Sequence, residues 1–219
     1  MNATLWQGVG TTLLGRAVLV GWDGLARLVP VVLLLPMVLY APLVIGLPGI
    51  PMMVLAGPLL VWGHRVALRS ADRLGLLRRF SPGALGPALA RGVLLAIPPV
   101  AAVASLTLAA SPAFARVPEW ILGASSGLCY GVILAAAVLA PVLSLSIAAG
   151  HDITESVSAA VTIAFRRPRR MLPIAAVLVA VTTAALVAGP ALLGGALTLA
   201  FSLTALIVHS PQEEPHPHD

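Results

Sequence analysis

The sequence predicts an all-α fold: a polytopic transmembrane helical bundle of about six spans, with amphipathic helices on the cytoplasmic side. Three observations predict it. Apolar residues make up 59% of the 219 positions and charged residues 10%, and mean hydropathy is +1.00, a balance that soluble domains do not show. Apolar stretches recur at close to the roughly 20 residues that cross about 30 Å of hydrocarbon. The thirteen basic residues, all arginine, bracket those stretches.

The N-terminal MNATLWQGVGTTLLGRAVLVGWDG lacks the charged beginning and continuous apolar centre of a cleaved signal peptide, so the first span is expected to direct insertion itself. That span is Leu25 to Ile45, and the tight GLPGIP connection leads into span two, Ile50 to Leu68. Only Ile50 to Gly63 is free of ionisable side chains, so crossing requires His64 and Arg65 to snorkel to the interface. Spans three to six are Gly92 to Ala110, Trp120 to Ala149, Met171 to Ala188 and Ala191 to His209. Residues 1–209 thus form one membrane domain, and the tail, residues 210–219, has the polar composition of a disordered end.

Arginine placement predicts orientation. Arg16 and Arg27 precede span one, Arg65, Arg69, Arg73, Arg78, Arg79 and Arg91 surround the connection between spans two and three, and Arg166, Arg167, Arg169 and Arg170 precede span five. Only Arg116 falls on the opposite side. The positive-inside rule makes the arginine-rich side, and both termini, cytoplasmic.

Two basic elbows stand out on that side. In the later one, Asp152 and Glu155 form a capping box, and Ile153, Val157, Val161 and Phe165 recur at helical spacing with Thr154, Glu155, Ser158 and Thr162 turned elsewhere. This predicts an amphipathic helix along the membrane surface. Pro168 ends it, and Arg166, Arg167, Arg169 and Arg170 can then reach anionic lipid headgroups or dock a partner. The earlier elbow puts Arg65, Arg69 and Arg73 on one helical stripe, followed by Arg78 and Arg79, in the same role of lipid or partner contact. The two elbows echo one another without aligning as a repeat.

Within the spans, Gly123, Gly127, Gly131 and Ala135 line one helical face, where small residues let another helix approach, inside this chain or from a neighbour. Ser125, Ser126 and Tyr130 are expected to hydrogen-bond between helices. Pro30, Pro36 and Pro42, continuing to Pro48, Pro51 and Pro58, free backbone carbonyls. They act as fixed kinks or, at Pro36, Pro42 and Pro58, as hinges of a moving element.

Signals of catalysis are weak. DGLAR, Asp23 to Arg27, lacks the spacing and downstream aspartates of the membrane CDP-alcohol phosphotransferases, and Asp23 is expected to pair with Arg27 one turn away. His64, Asp72, His151, Asp152 and Glu155, with His216 and His218 in the tail, have no HExxH or paired-cysteine spacing. No phosphate-cradling loop or GxSxG elbow occurs, and no ionisable residue is read as lying deep in a span. Cys129 is the single cysteine, which excludes an intrachain disulfide. Arginines without aromatic interleaving point away from nucleic acid. The expectation is a protein without catalytic residues, cofactor or metal.

The apolar hairpin with Gly57-Pro58 in its second arm, the connector ending LLRRF, and the late AAVTIAFRRPRRMLPIAAV elbow together resemble the YesL-like family of small polytopic bacterial membrane proteins. The resemblance covers about Leu25 to His209. It implies the bacterial inner (cytoplasmic) membrane, no catalytic residues, and a place beside carbohydrate ABC transporters, whose subunits would be the partners. The function expected is that of a non-catalytic accessory protein. The alternative is a small transporter or channel for a neutral or amphiphilic solute.

Overall fold

The computed structural model describes residues 12–77, 83–114, 116–166, 176 and 190–209. Among the described residues there are six helices of more than one turn, three short 3-10 turns and no strand. Helix α1 is Leu13–Ile45, followed by 3-10 turns at Leu47–Gly49 and Pro51–Leu55, then α2, Ala56–Arg73. Helix α3 is Leu85–Ala109, with a 3-10 turn at Pro112–Phe114, then α4, Glu119–Ala148. Helix α5 is Ile153–Arg166 and α6 is Pro190–His209.

Among the described residues, four segments are long and apolar enough to cross a membrane: Leu13–Pro42, Leu47–Arg73, Leu85–Ala109 and Glu119–Ala148. They overlap the first four spans read from the sequence, with different ends. Helix α6 covers the sixth, with a shorter apolar stretch at Ala196–Val208. The fifth span, Met171 to Ala188, lies outside the described residues apart from Ala176, as do Arg78, Arg79, Arg167, Arg169, Arg170 and the tail.

Helix α1 begins twelve residues before the span read from the sequence. Thr12 caps α1, its Oγ1 accepting from the Gly15 backbone N–H at 3.0 Å, which satisfies one of the free donors of a helix start. Gly15, Gly21, Asp23 and Gly24 dilute the hydropathy of this turn-rich stretch, but they let other helices come close. A Cβ on Gly21 would stand 2.8 Å from Thr198 Cγ2 of α6, and one on Gly24 would stand 3.1 Å from Ser70 Oγ and Val66 Cγ1 of α2. The buried positions Ala17, Gly21, Gly24, Leu28, Val31, Leu35 and Val38 follow a three-four spacing, the seam of helices crossing at a shallow angle. Exposed Trp22 and Tyr40 stand about 27 Å apart along the axis at 1.5 Å per residue, close to the depth of a hydrocarbon core and where interfacial aromatics collect.

Helix α1 continues through Pro30, Pro36 and Pro42. Pro58 stands in the first turn of α2, where a missing N–H breaks no helical bond. Backbone carbonyls are therefore freed within α1, at Pro30, Pro36 and Pro42, and not at Pro58. The core joins α1, α2, α6 and the end of α4 through Leu28, Leu68, Leu145, Ile147 and Phe201. Helices α2 and α3 meet backbone to backbone, since a Cβ on Gly57 would overlap the Gly92 carbonyl.

Candidate functional site at the arginine-rich end of the bundle

The C-terminal half of α2 carries His64, Arg65, Arg69, Asp72 and Arg73 among apolar and small residues. On a free helix the first two would reach for water. Here α4, α6 and the segment leading into α3 cover that face, and His64 and Arg65 are 2% and 4% exposed. This corrects the snorkelling expectation for both residues, and it removes Arg65 from the lipid-facing stripe.

His64 is held on several sides. Its Nδ1 lies 3.0 Å from the Leu60 carbonyl and 3.0 Å from Ser144 Oγ, and its ring meets Phe201 edge-on, with centroids 4.8 Å apart. A carbonyl only accepts, so the proton belongs on Nδ1; Ser144 Oγ then accepts from it and donates to the Ala140 carbonyl at 2.5 Å. The arrangement ties α2 to α4. Arg65 Nη2 donates to the Gly83 carbonyl just ahead of α3.

Around this interior pair the remaining charges form cross-links. Arg73 Nη2 lies 3.0 Å from Asp23 Oδ2, so Asp23 pairs across the α1–α2 hairpin and not with Arg27. The close approach of Gly24 to Ser70 brings Arg73 to Asp23, and Arg73 also reaches Ser70 Oγ at 3.4 Å. Arg91, two turns into α3, donates to the His151 carbonyl at 3.2 Å and meets Asp152 Oδ1 at 2.5 Å. It thereby clasps the bend between α4 and α5, where Gly150 adopts φ +105°, a conformation that favours glycine. The capping box is present in one half: Glu155 Oε2 accepts from the Asp152 N–H at 3.3 Å, while the Asp152 carboxylate serves Arg91. His151 Nδ1 lies 3.4 Å from Glu155 Oε2.

The other sequence-derived candidates are scattered. Arg69 is exposed on α2 and Arg166 is the last residue of α5. Ser156 and Ala160 turn the inner face of α5 to the bundle, leaving Val157, Val161 and Phe165 outward, the last 83% exposed. Gly123, Gly127 and Gly131 face open space, with no described heavy atom within 4 Å of a Cβ built on any of them, and Ala135 is exposed beside them. Ser125 Oγ donates to the Leu122 carbonyl of its own helix at 3.0 Å, and Tyr130 is exposed. Among the described residues no three metal-ligating side chains converge.

The sequence reading missed the interior pair because hydropathy registers His64 and Arg65 as an interruption without saying which helix face is covered. The signal available was the presence of small residues around more than one side of α2: Gly57 meets Gly92 of α3, Gly63 meets Phe201 of α6 and Ser70 meets Gly24 of α1, so the helix is covered on several faces.

Comparison of the chain with family models, with curated proteins and with solved structures finds no match.

Proposed function

We propose that the protein is a non-catalytic accessory component of a membrane complex, working beside a carbohydrate ABC transporter in the bacterial cytoplasmic membrane with both termini in the cytoplasm. The resemblance to the YesL-like family supplies the transporter class. The observation that carries the accessory reading is the uneven covering of α4. Its last turns, Pro141 to Ala148, are buried except for half-buried Ser146, whereas Trp120, Leu128, Tyr130 and Leu134 are exposed beside the small-residue face of Gly123, Gly127 and Gly131. A face of that kind admits a neighbouring membrane helix at close range.

Purification in mild detergent from cells carrying the native gene neighbourhood should recover permease or ATPase subunits. A cysteine at Gly127, in a Cys129→Ala background, should cross-link to one of them, and Gly127→Leu should lose the partner while melting as the parent does. Recovery of the chain only with itself overturns the reading. The alternative, a small transporter or channel for a neutral or amphiphilic solute, draws on Pro36 and Pro42, both half-buried within α1. It requires solute flux into reconstituted vesicles that changes when both prolines become alanine.

A further inference from the structure

Arg65 projects into the bundle with 4% of its surface exposed. Nη2 donates to the Gly83 carbonyl, while Nε and Nη1 find no acceptor among the described residues. A guanidinium removed from water in this state is strongly unfavourable unless an anion meets it.

Three of the five described carboxylates are engaged elsewhere, and the other two lie away from Arg65 along the chain. Asp23 serves Arg73, Asp152 serves Arg91, and Glu155 lies against His151 and the Asp152 N–H. Glu119 opens α4 at the end opposite Ser144 and His64, and Asp72 stands two turns away along α2, about 10 Å at 1.5 Å per residue. Between Asp72 and Glu119 the sequence holds no acidic residue, yet it adds Arg73, Arg78, Arg79 and Arg91. Two further cations lie toward Arg65. Arg69 is one turn on, and Arg91 reaches the Gly150 carbonyl at 3.5 Å, the same Gly150 whose Cα would lie 3.6 Å from a Cβ on Gly83. The backbone that accepts from Arg65 therefore abuts the backbone that accepts from Arg91.

We propose that Arg65 is the cation of an internal anion site at this end of the bundle, and that the ligand group is a phosphate. Arginine suits phosphate through multiple charged N–H donors, and basic clefts between membrane helices are where phosphorylated headgroups lodge. The phosphate can belong to a lipid headgroup or be free in solution. The inference is independent of the accessory reading, because it concerns what holds α2 and the start of α3 together and not what covers α4.

The full chain, purified in mild detergent and extensively delipidated, is assayed for bound phosphorus and for its thermal midpoint with added phosphatidylglycerol or inorganic phosphate. Wild type should retain close to one phosphate per chain. Its midpoint should rise with one of the two additives at concentrations at least tenfold lower than Arg65→Met requires. Phosphorus extracted into organic solvent identifies a headgroup, and phosphorus left in the aqueous phase identifies the free anion. Arg65→Met should lose the bound phosphate and melt below wild type, and Arg65→Lys should keep a weakened response.

The opposite sign overturns the proposal. An unmet buried cation is relieved by an apolar residue of similar volume, so Arg65→Met melting at or above wild type, with no phosphate response in either protein, excludes an anion there. Should Arg65→Met fail to fold, wild type with neither bound phosphorus nor a shift from either additive excludes it equally.

Discussion

Ser144 and Ser156 are both fully buried, and they have opposite surroundings. Ser144 bridges His64 and the Ala140 carbonyl, while the Ser156 hydroxyl has no hydrogen-bond partner among the described residues. Removing a satisfied hydroxyl strands its partners, whereas removing an unsatisfied one relieves a desolvation cost of about 1–3 kcal/mol. Ser156→Ala should therefore raise the thermal midpoint in detergent and Ser144→Ala should lower it. The glycines divide in the same way. Gly57→Ala drives a methyl into the Gly92 carbonyl and should cost about 1–3 kcal/mol or more, as overpacking does, while Gly127→Ala meets open space and should leave the midpoint nearly unchanged. Both pairs are measurable by the same melting assay. None of this is legible from composition, because a serine or glycine in an apolar run reads identically whether a neighbour's backbone stands against it or nothing does.

At the scale of elements, the bend from α4 to α5 depends on a side chain from a third helix. Arg91 holds the Gly150 and His151 carbonyls and the Asp152 carboxylate, and none of these belongs to its own helix. Arg91→Ala should loosen that bend locally. Because Asp152 is largely exposed, the global cost is expected near 1 kcal/mol, in the range of surface ion pairs. Amide exchange at residues 150–156 should accelerate several-fold while α2 keeps its protection. The first four spans and the amphipathic α5 were legible in the sequence, since each is a run of composition or a period. The early start of α1 was not, because Gly15, Arg16, Gly21 and Asp23 lower its hydropathy, and their compatibility with a helix comes from α6 and α2 packing against it. The Asp23–Arg73 pair was likewise hidden, since local spacing offers Arg27 one turn away and only the hairpin brings Arg73 within 3.0 Å.

For the whole molecule, orientation rests on the distribution of arginine. A cysteine label at Val157, exposed on α5, in a Cys129→Ala background should react from the cytoplasmic side of intact cells; labelling from the opposite side would reverse the topology. Changing Arg166, Arg167, Arg169 and Arg170 together to serine removes about 1 kcal/mol of surface attraction per residue. It should let that label appear on both sides while labels placed before α3 stay where they were. The Asp23–Arg73 pair also carries a consequence in time. Its two members are about 50 residues apart in the chain, an interval of roughly 3–10 s at synthesis rates of about 5–20 residues per second. Throughout that interval Asp23 has only Arg16 and Arg27 of its own helix as possible counter-charges, and the partner it takes in the folded chain is still to be made. The pair closes only once both helices have been made, so the α1–α2 hairpin, and not α1 alone, is the smallest unit in which Asp23 has its folded partner.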